Sequence, residues 1–125
     1  MRNPHIRVSF ENHILHVTFL NSARIDVIDL VEVYTFASEK AAGQPYCVIF
    51  ESLGLYEVTD EGIYYLSNNP NSVNVLCKVY ITNNKEASIK TKLHLVFDRS
   101  GSRPAIFTTL PEGKAWLEKI LREQA

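Results

Sequence analysis

Residues 46–50 read Tyr46-Cys47-Val48-Ile49-Phe50, and the reading of the fold turns on them. The run contains no charged side chain, so a strand here presents apolar groups to both of its faces. Such a strand belongs inside a sheet that is covered above and below.

Working upstream, Val27, Leu30, Val31, Tyr34 and Ala37 or Ala41 recur near the i, i+3, i+4, i+7 spacing. That spacing predicts an amphipathic helix over 26–42, with its apolar stripe against the sheet. Asp26 is placed to cap it, its carboxylate accepting from first-turn amides. Gly43 and Pro45 end it, since glycine tolerates the left-handed C′ position and proline cannot continue a helix. Further upstream Ile6, Val8 and Phe10 alternate with Arg7 and Ser9, then Leu15, Val17 and Phe19 resume the period of two. Residues 5–20 therefore read as a β-hairpin broken at Glu11-Asn12, with no Asn-Gly or Asp-Gly to set the turn type.

Downstream, a short helix is expected from Thr59 or Asp60, turning Ile63 and Leu66 inward and stopping before Asn68-Asn69-Pro70. Val73–Ile81 reads as a second buried strand. Asn83 and Glu86 start another helix through Ile89, Leu93, Val96 and Phe97, ended by Gly101 before Pro104. Ala105–Thr108 is a last strand. Thr109-Leu110-Pro111-Glu112 is a capping box with proline just inside a final helix, which turns Ala115, Trp116, Leu117 and Ile120 to the sheet. Strands alternating with helices imply an α/β fold: a mixed, largely parallel sheet of about five strands, an N-terminal hairpin and about four helices. No repeat, low-complexity stretch or linker interrupts residues 1–125, which read as a single domain.

Composition narrows the function. Among 125 residues, 13 Lys and Arg oppose 14 Asp and Glu, so no strong field attracts a polyanion and no nucleic acid is expected. Cys47 and Cys77 each sit in an apolar run and read as buried thiols rather than a disulfide. No apolar stretch approaches the roughly 18 residues of a membrane span. Met1-Arg2-Asn3-Pro4-His5 leads straight into strand-like sequence without a signal peptide's apolar region, so a cytoplasmic location is expected.

Catalytic and metal signals are thin. His5, His13, His16 and His94 lack metal-ligand spacing, and no phosphate-cradling or nucleophile-elbow motif occurs. Glu57, Asp60 and Glu61 gather at the start of the second helix. They make either an acid/base or cation cluster, or, more simply, acids stabilised by the helix dipole. Tyr56, Tyr64 and Tyr65 flank the same segment, as a partner surface, a pocket lining or the edge of the core. Lys85, Lys90 and Lys92 read as a solvated helix face. No catalytic centre, metal or cofactor is expected.

The element order, together with Val48-Ile49-Phe50-Glu51-Ser52-Leu53-Gly54-Leu55-Tyr56-Glu57-Val58-Thr59-Asp60-Glu61-Gly62-Ile63, resembles the STAS (SpoIIAA-like) family of bacterial regulatory domains. Glu51 falls on the family's strand-end aspartate and Gly62-Ile63 on its Gly-Leu. The resemblance implies a SpoIIAA-like fold and a regulatory protein-interaction role, with a protein partner or a second copy (a homodimer) docking on residues 52–66. Ser52, Tyr56, Glu57, Thr59, Asp60, Glu61 and Tyr64 are the candidate contacts. The family's phosphorylated serine falls on Asp60, whose carboxylate is a permanent single charge, so that switch cannot operate there. Thr59 is either a modification site or, more simply, the helix N-cap. The segment Pro104–Leu117 is similar to Sec14-related bacterial domains. That similarity implies the alternative occupant, a small apolar ligand or lipid in an aromatic-lined cavity of at least about 300 Å³.

Overall fold

The computed structural model describes residues 2–68, 74–82 and 103–123. The hairpin is formed by β1 (Ile6–Glu11) and β2 (Ile14–Phe19), with an unbroken antiparallel register from Ile6↔Phe19 to Glu11↔Ile14. Asn12 and His13, the two-residue turn, have φ of 53° and 63°. Two positive φ values in a row are the primed turn that suits the strands' right-handed twist. Histidine is an unusual occupant, which is why the turn type was not readable.

After β3 (Ala23–Ile25) come α1 (Val27–Ala41), β4 (Tyr46–Ser52), β5 (Tyr56–Val58), α2 (Asp60–Asn68), β6 (Val75–Ile81), β7 (Arg103–Phe107) and α3 (Leu110–Glu123). The main sheet has five strands in the order β1-β2-β4-β6-β7, parallel except for the hairpin. Two short strands unforeseen from the sequence, β3 and β5, pair in parallel as a separate two-stranded ribbon. The helix expected from Asn83, with the Lys85, Lys90 and Lys92 face, lies outside the described residues.

Tyr46 to Phe50 are all buried, as a central strand requires. Tyr46, Val48 and Phe50 face α1 and α2 with Leu15, Val17, Phe19 and Tyr80, while Cys47 and Ile49 face α3 with Cys77, Val79 and Ile81. Three inward assignments are corrected. Val31 and Ile63 are about two-fifths exposed, at 41% and 37%, and Ala115 faces solvent. Each helix is rolled so that another residue turns inward: Val33 in α1, Gly62 in α2, which lies against Ile25 and Val58 of the β3–β5 ribbon, and Gly113 in α3. At α1's C-terminus Ala42, with φ 50°, takes up the left-handed cap before Gly43 does. Lys78 is fully buried on β6 and its Nζ donates to the Leu66 carbonyl, 3.1 Å away in the last turn of α2. The helix end thus receives a cation where its carbonyls lack intrahelical donors.

Cys47 and Cys77 are buried free thiols on neighbouring strands. The hydrogen bond with Cys47, then burial, pushes the Cys77 thiol well above its ordinary range.

Gly113 lets α3 lie directly on the sheet, since a Cβ there would stand 2.5 Å from Ile81 Cδ1 and 2.6 Å from Val79 Cγ1. Gly113→Val is expected to destabilise the fold by about 1–3 kcal/mol in urea unfolding. Tyr46 supplies a second expectation. Its hydroxyl has no hydrogen-bond partner among the described residues, and burial, then the nearby Tyr65, push its pKa from 10.0 up to about 12. Between those values the unfolded chain loses this proton while the folded chain keeps it. Stability therefore declines as pH rises from about 10 to about 12, by up to roughly 1.4 kcal/mol per pH unit from this group. Tyr46→Phe is expected to flatten that part of the pH–stability curve without loss at neutral pH.

Candidate functional site

The site is built where β3 and β5 each deliver the chain into a helix. Asp26 caps α1, its Oδ1 accepting from Val27 N at 2.7 Å, while Asp29 Oδ2 accepts from Asp26 N at 2.9 Å to complete a capping box. Thr59 caps α2, its Oγ1 accepting from Gly62 N at 3.1 Å. The same hydroxyl donates to Asp26 Oδ1 at 3.1 Å, so the two caps are one hydrogen-bonded unit. The Thr59 backbone N–H adds a 2.9 Å bond to the Ile25 carbonyl. Asn3 buttresses the unit from behind, its Nδ2 donating to Asp29 Oδ2 at 3.2 Å and to the Arg24 carbonyl at 3.0 Å. The first turns of α1 and α2 are therefore held side by side.

Upstream of β5, the loop Leu53-Gly54-Leu55 is pinned by its backbone. Leu53 N donates to the Phe19 carbonyl at 2.9 Å, Ser22 N to the Leu55 carbonyl at 2.8 Å, and Leu55 N to Asn21 Oδ1 at 3.2 Å. Gly54 is required, because a Cβ there would meet Asn21 Oδ1 at 2.5 Å. With the backbone turned inward, Leu53 and Leu55 point outward, at 58% and 57% exposure.

The residues singled out from the sequence separate into three groups. Tyr64, 72% exposed on α2, and Glu57, Asp60 and Glu61 are at the surface. Thr59 and Tyr56 are half-buried, the first as the cap and the second with its ring centroid 5.2 Å from that of Phe19 at a tilt of 36°. Ser52 is buried at the end of β4, and no hydrogen-bond partner for its hydroxyl lies among the described residues. Tyr65 packs inward on Tyr34, their ring centroids 6.2 Å apart. Sequence reasoning overlooked the exposure of Leu53, Leu55, Ile28 and Val31, which join Ile63 and Tyr64 as the exposed large apolar residues among the described residues. The flanking of Gly54 by two leucines just past a buried strand was the one local signal for them.

Asp60 and Glu61 occupy the first turn of α2, and Glu57 projects from β5 beside its exposed register partner Arg24 on β3. The helix N-terminal amides that would otherwise invite an anion already have Thr59 and these carboxylates beside them.

On the opposite sheet face, an open cleft of about 400 Å³ lies between α3 and the hairpin, lined by residues including Ser9, His16, Ile49, Lys114 and Glu118. His16 Nε2 lies 2.9 Å from Glu51 Oε1 there, both side chains partly buried. Among the described residues no Phe, Tyr or Trp lines the cleft, unlike the aromatic-lined cavity expected for an apolar ligand. Among the described residues no cluster of His, Cys, Asp and Glu is arranged to hold a metal, and no helix is long and apolar enough to cross a membrane.

No family model and no curated protein sequence matches the chain. Among solved structures it is similar to an uncharacterised protein of the DUF3478 family with a SpoIIAA-like fold from Shewanella loihica PV-4. The TM-score is 0.57 at 11% identity, over 90% of this chain and 91% of that one. The likeness shows the fold: an α/β domain with a mixed, mostly parallel five-stranded sheet, of the SpoIIAA-like type.

Thr59→Ala removes both the α2 cap and the link to Asp26, and is expected to cost about 1–2 kcal/mol. Thr59→Ser keeps the hydroxyl and is expected to retain most of that stability in the same denaturant titration.

Proposed function

We propose that the chain is a non-enzymatic protein-interaction module, docking a protein partner on the surface formed by Leu53, Leu55, Ile63 and Tyr64 with Ile28 and Val31 of α1. The observation that carries this reading is the exposure of all six large apolar side chains on a rigidly capped frame. Tyr64 is the natural anchor, since tyrosine offers wide contact area at low entropy cost and is enriched at interaction hot spots. A frame already ordered by hydrogen bonds has little conformational freedom left to lose on binding. The apolar side chains stand on outward-facing helix and loop positions rather than inside a cavity, which suits a macromolecule better than a small apolar molecule. Glu57, Asp60 and Glu61 beside them suit a partner whose own apolar patch is rimmed by Lys or Arg.

Asp60, in the first turn of α2, keeps its charge whatever the phosphorylation state of the cell, so the module binds without that switch. Thr59, engaged through its hydroxyl in two hydrogen bonds, serves as a cap rather than a modification site.

Affinity capture with immobilised wild-type chain, compared with Tyr64→Ala and Leu55→Asp, tests the reading. A specific partner, once recovered, is expected to bind each variant at least about tenfold more weakly by titration calorimetry. Undiminished binding to both variants would place the partner elsewhere and sink the proposal.

A further inference from the structure

Among the described residues the strand β1 is an edge of the main sheet. The His5 carbonyl accepts from Leu20 N at 2.8 Å. That bond, with the antiparallel alternation, turns the backbone groups of Arg7, Ser9 and Glu11 toward β2. The groups of Val8 and Phe10 consequently point outward, and they have no other partner among the described residues. Ile6 satisfies its outward N–H locally, on the Asn3 carbonyl at 3.3 Å.

Soluble proteins guard such edges with proline, lysine, bulges or very short strands. The opposite edge, β7, carries Pro104. β1 has six residues, no proline or lysine, and a ladder to β2 without a bulge. Its two charges, Arg7 and Glu11, are exposed, face Thr18 and Ile14 across the hairpin, and form no ion pair among the described residues.

We propose that β1 pairs antiparallel with β1 of a second copy of this chain, about a two-fold axis through Ser9, so that two five-stranded sheets join into one. In that register Val8 lies opposite the partner's Phe10 and Arg7 opposite the partner's Glu11, each pairing occurring twice. Val8 and Phe10 are the residues whose backbone groups point outward, so each of their pairs exchanges two hydrogen bonds. Arg7 and Glu11 fall at the closer, non-hydrogen-bonded positions, where cross-strand charges interact best. Shifting the axis to Val8 would set Arg7 against Ser9 and forfeit both ion pairs. A shift by half a residue would oppose side chains from different faces, which the pleat forbids.

Sedimentation equilibrium of the full chain tests this. Wild type is expected to show a monomer–dimer equilibrium. Arg7→Glu and Glu11→Arg each replace two attractions with two repulsions and are expected to weaken the dimer about tenfold or more. Both positions are exposed, so circular dichroism should show the fold intact. The exchanged variant, Arg7→Glu with Glu11→Arg, is expected to recover dimerisation. An equimolar mixture of the two single variants should associate more tightly than either alone, because only the heterodimer then pairs opposite charges. A wild type that stays monomeric, an Arg7→Glu dimer of unchanged strength, or an exchanged variant as weak as the single ones would overturn the proposal. So would a dimer abolished by Leu55→Asp, which would assign self-association to the other surface.

Discussion

A strand buried on both faces from Tyr46 to Phe50 is stable only if both of its edges are paired and both of its faces covered. Unpaired amides in that position would each cost more than a kcal/mol, and uncovered side chains would lose about 1.5–3 kcal/mol apiece. The other elements follow from meeting this demand. β2 and β6 pair the edges, α1 and α2 cover one face, and α3 covers the other. Parallel pairing on both sides obliges each connection to cross over the sheet, and two of those crossovers bring α1 and α2 to rest on the same face.

The surface chemistry is a by-product of the same arrangement. Two helices that start beside each other bring two sets of unpaired N-terminal amides together; Asp26 and Asp29 cap one, Thr59 caps the other, and the Thr59–Asp26 bond joins the caps. With the frame fixed this way, the outer faces of α1 and α2 are free of structural duty. Beside the exposed charges Glu39, Lys40, Asp60 and Glu61, they display the large apolar side chains Ile28, Val31, Ile63 and Tyr64.

Much of this was legible in the sequence where the signal was long or chemical. The central run, the period of two in the hairpin, the Asp26 cap and the Thr109–Glu112 box all lie where local pattern put them. β3 and β5 were missed because three residues offer too short a run to show alternation. Val31, Ile63 and Ala115 were turned inward because a stripe on a helical wheel leaves its centre uncertain by about one residue. Glycine carries no hydropathy signal, so the close approaches at Gly62 and Gly113 were invisible. In the candidate site, Thr59 was readable as a cap, but its bond to Asp26 joins residues 33 apart, and the His16–Glu51 pair spans 35. Nothing in a linear pattern encodes such meetings. The burial of Ser52 came from the same source: β4 runs two residues past its apolar stretch.

The placement of Tyr46–Phe50 also bears on how the chain survives its own synthesis. An uncharged, proline-free run of strong strand formers is the kind of segment that nucleates cross-β aggregation when exposed. On a ribosome it emerges well before β6, which begins only at Val75 and closes its second edge. For that interval its protection is what flanks it: Pro45 before it and Glu51 after it, gatekeepers that oppose extended self-stacking. Glu51 therefore answers to two demands at once, a partner for His16 in the finished fold and a repelling charge in the nascent chain.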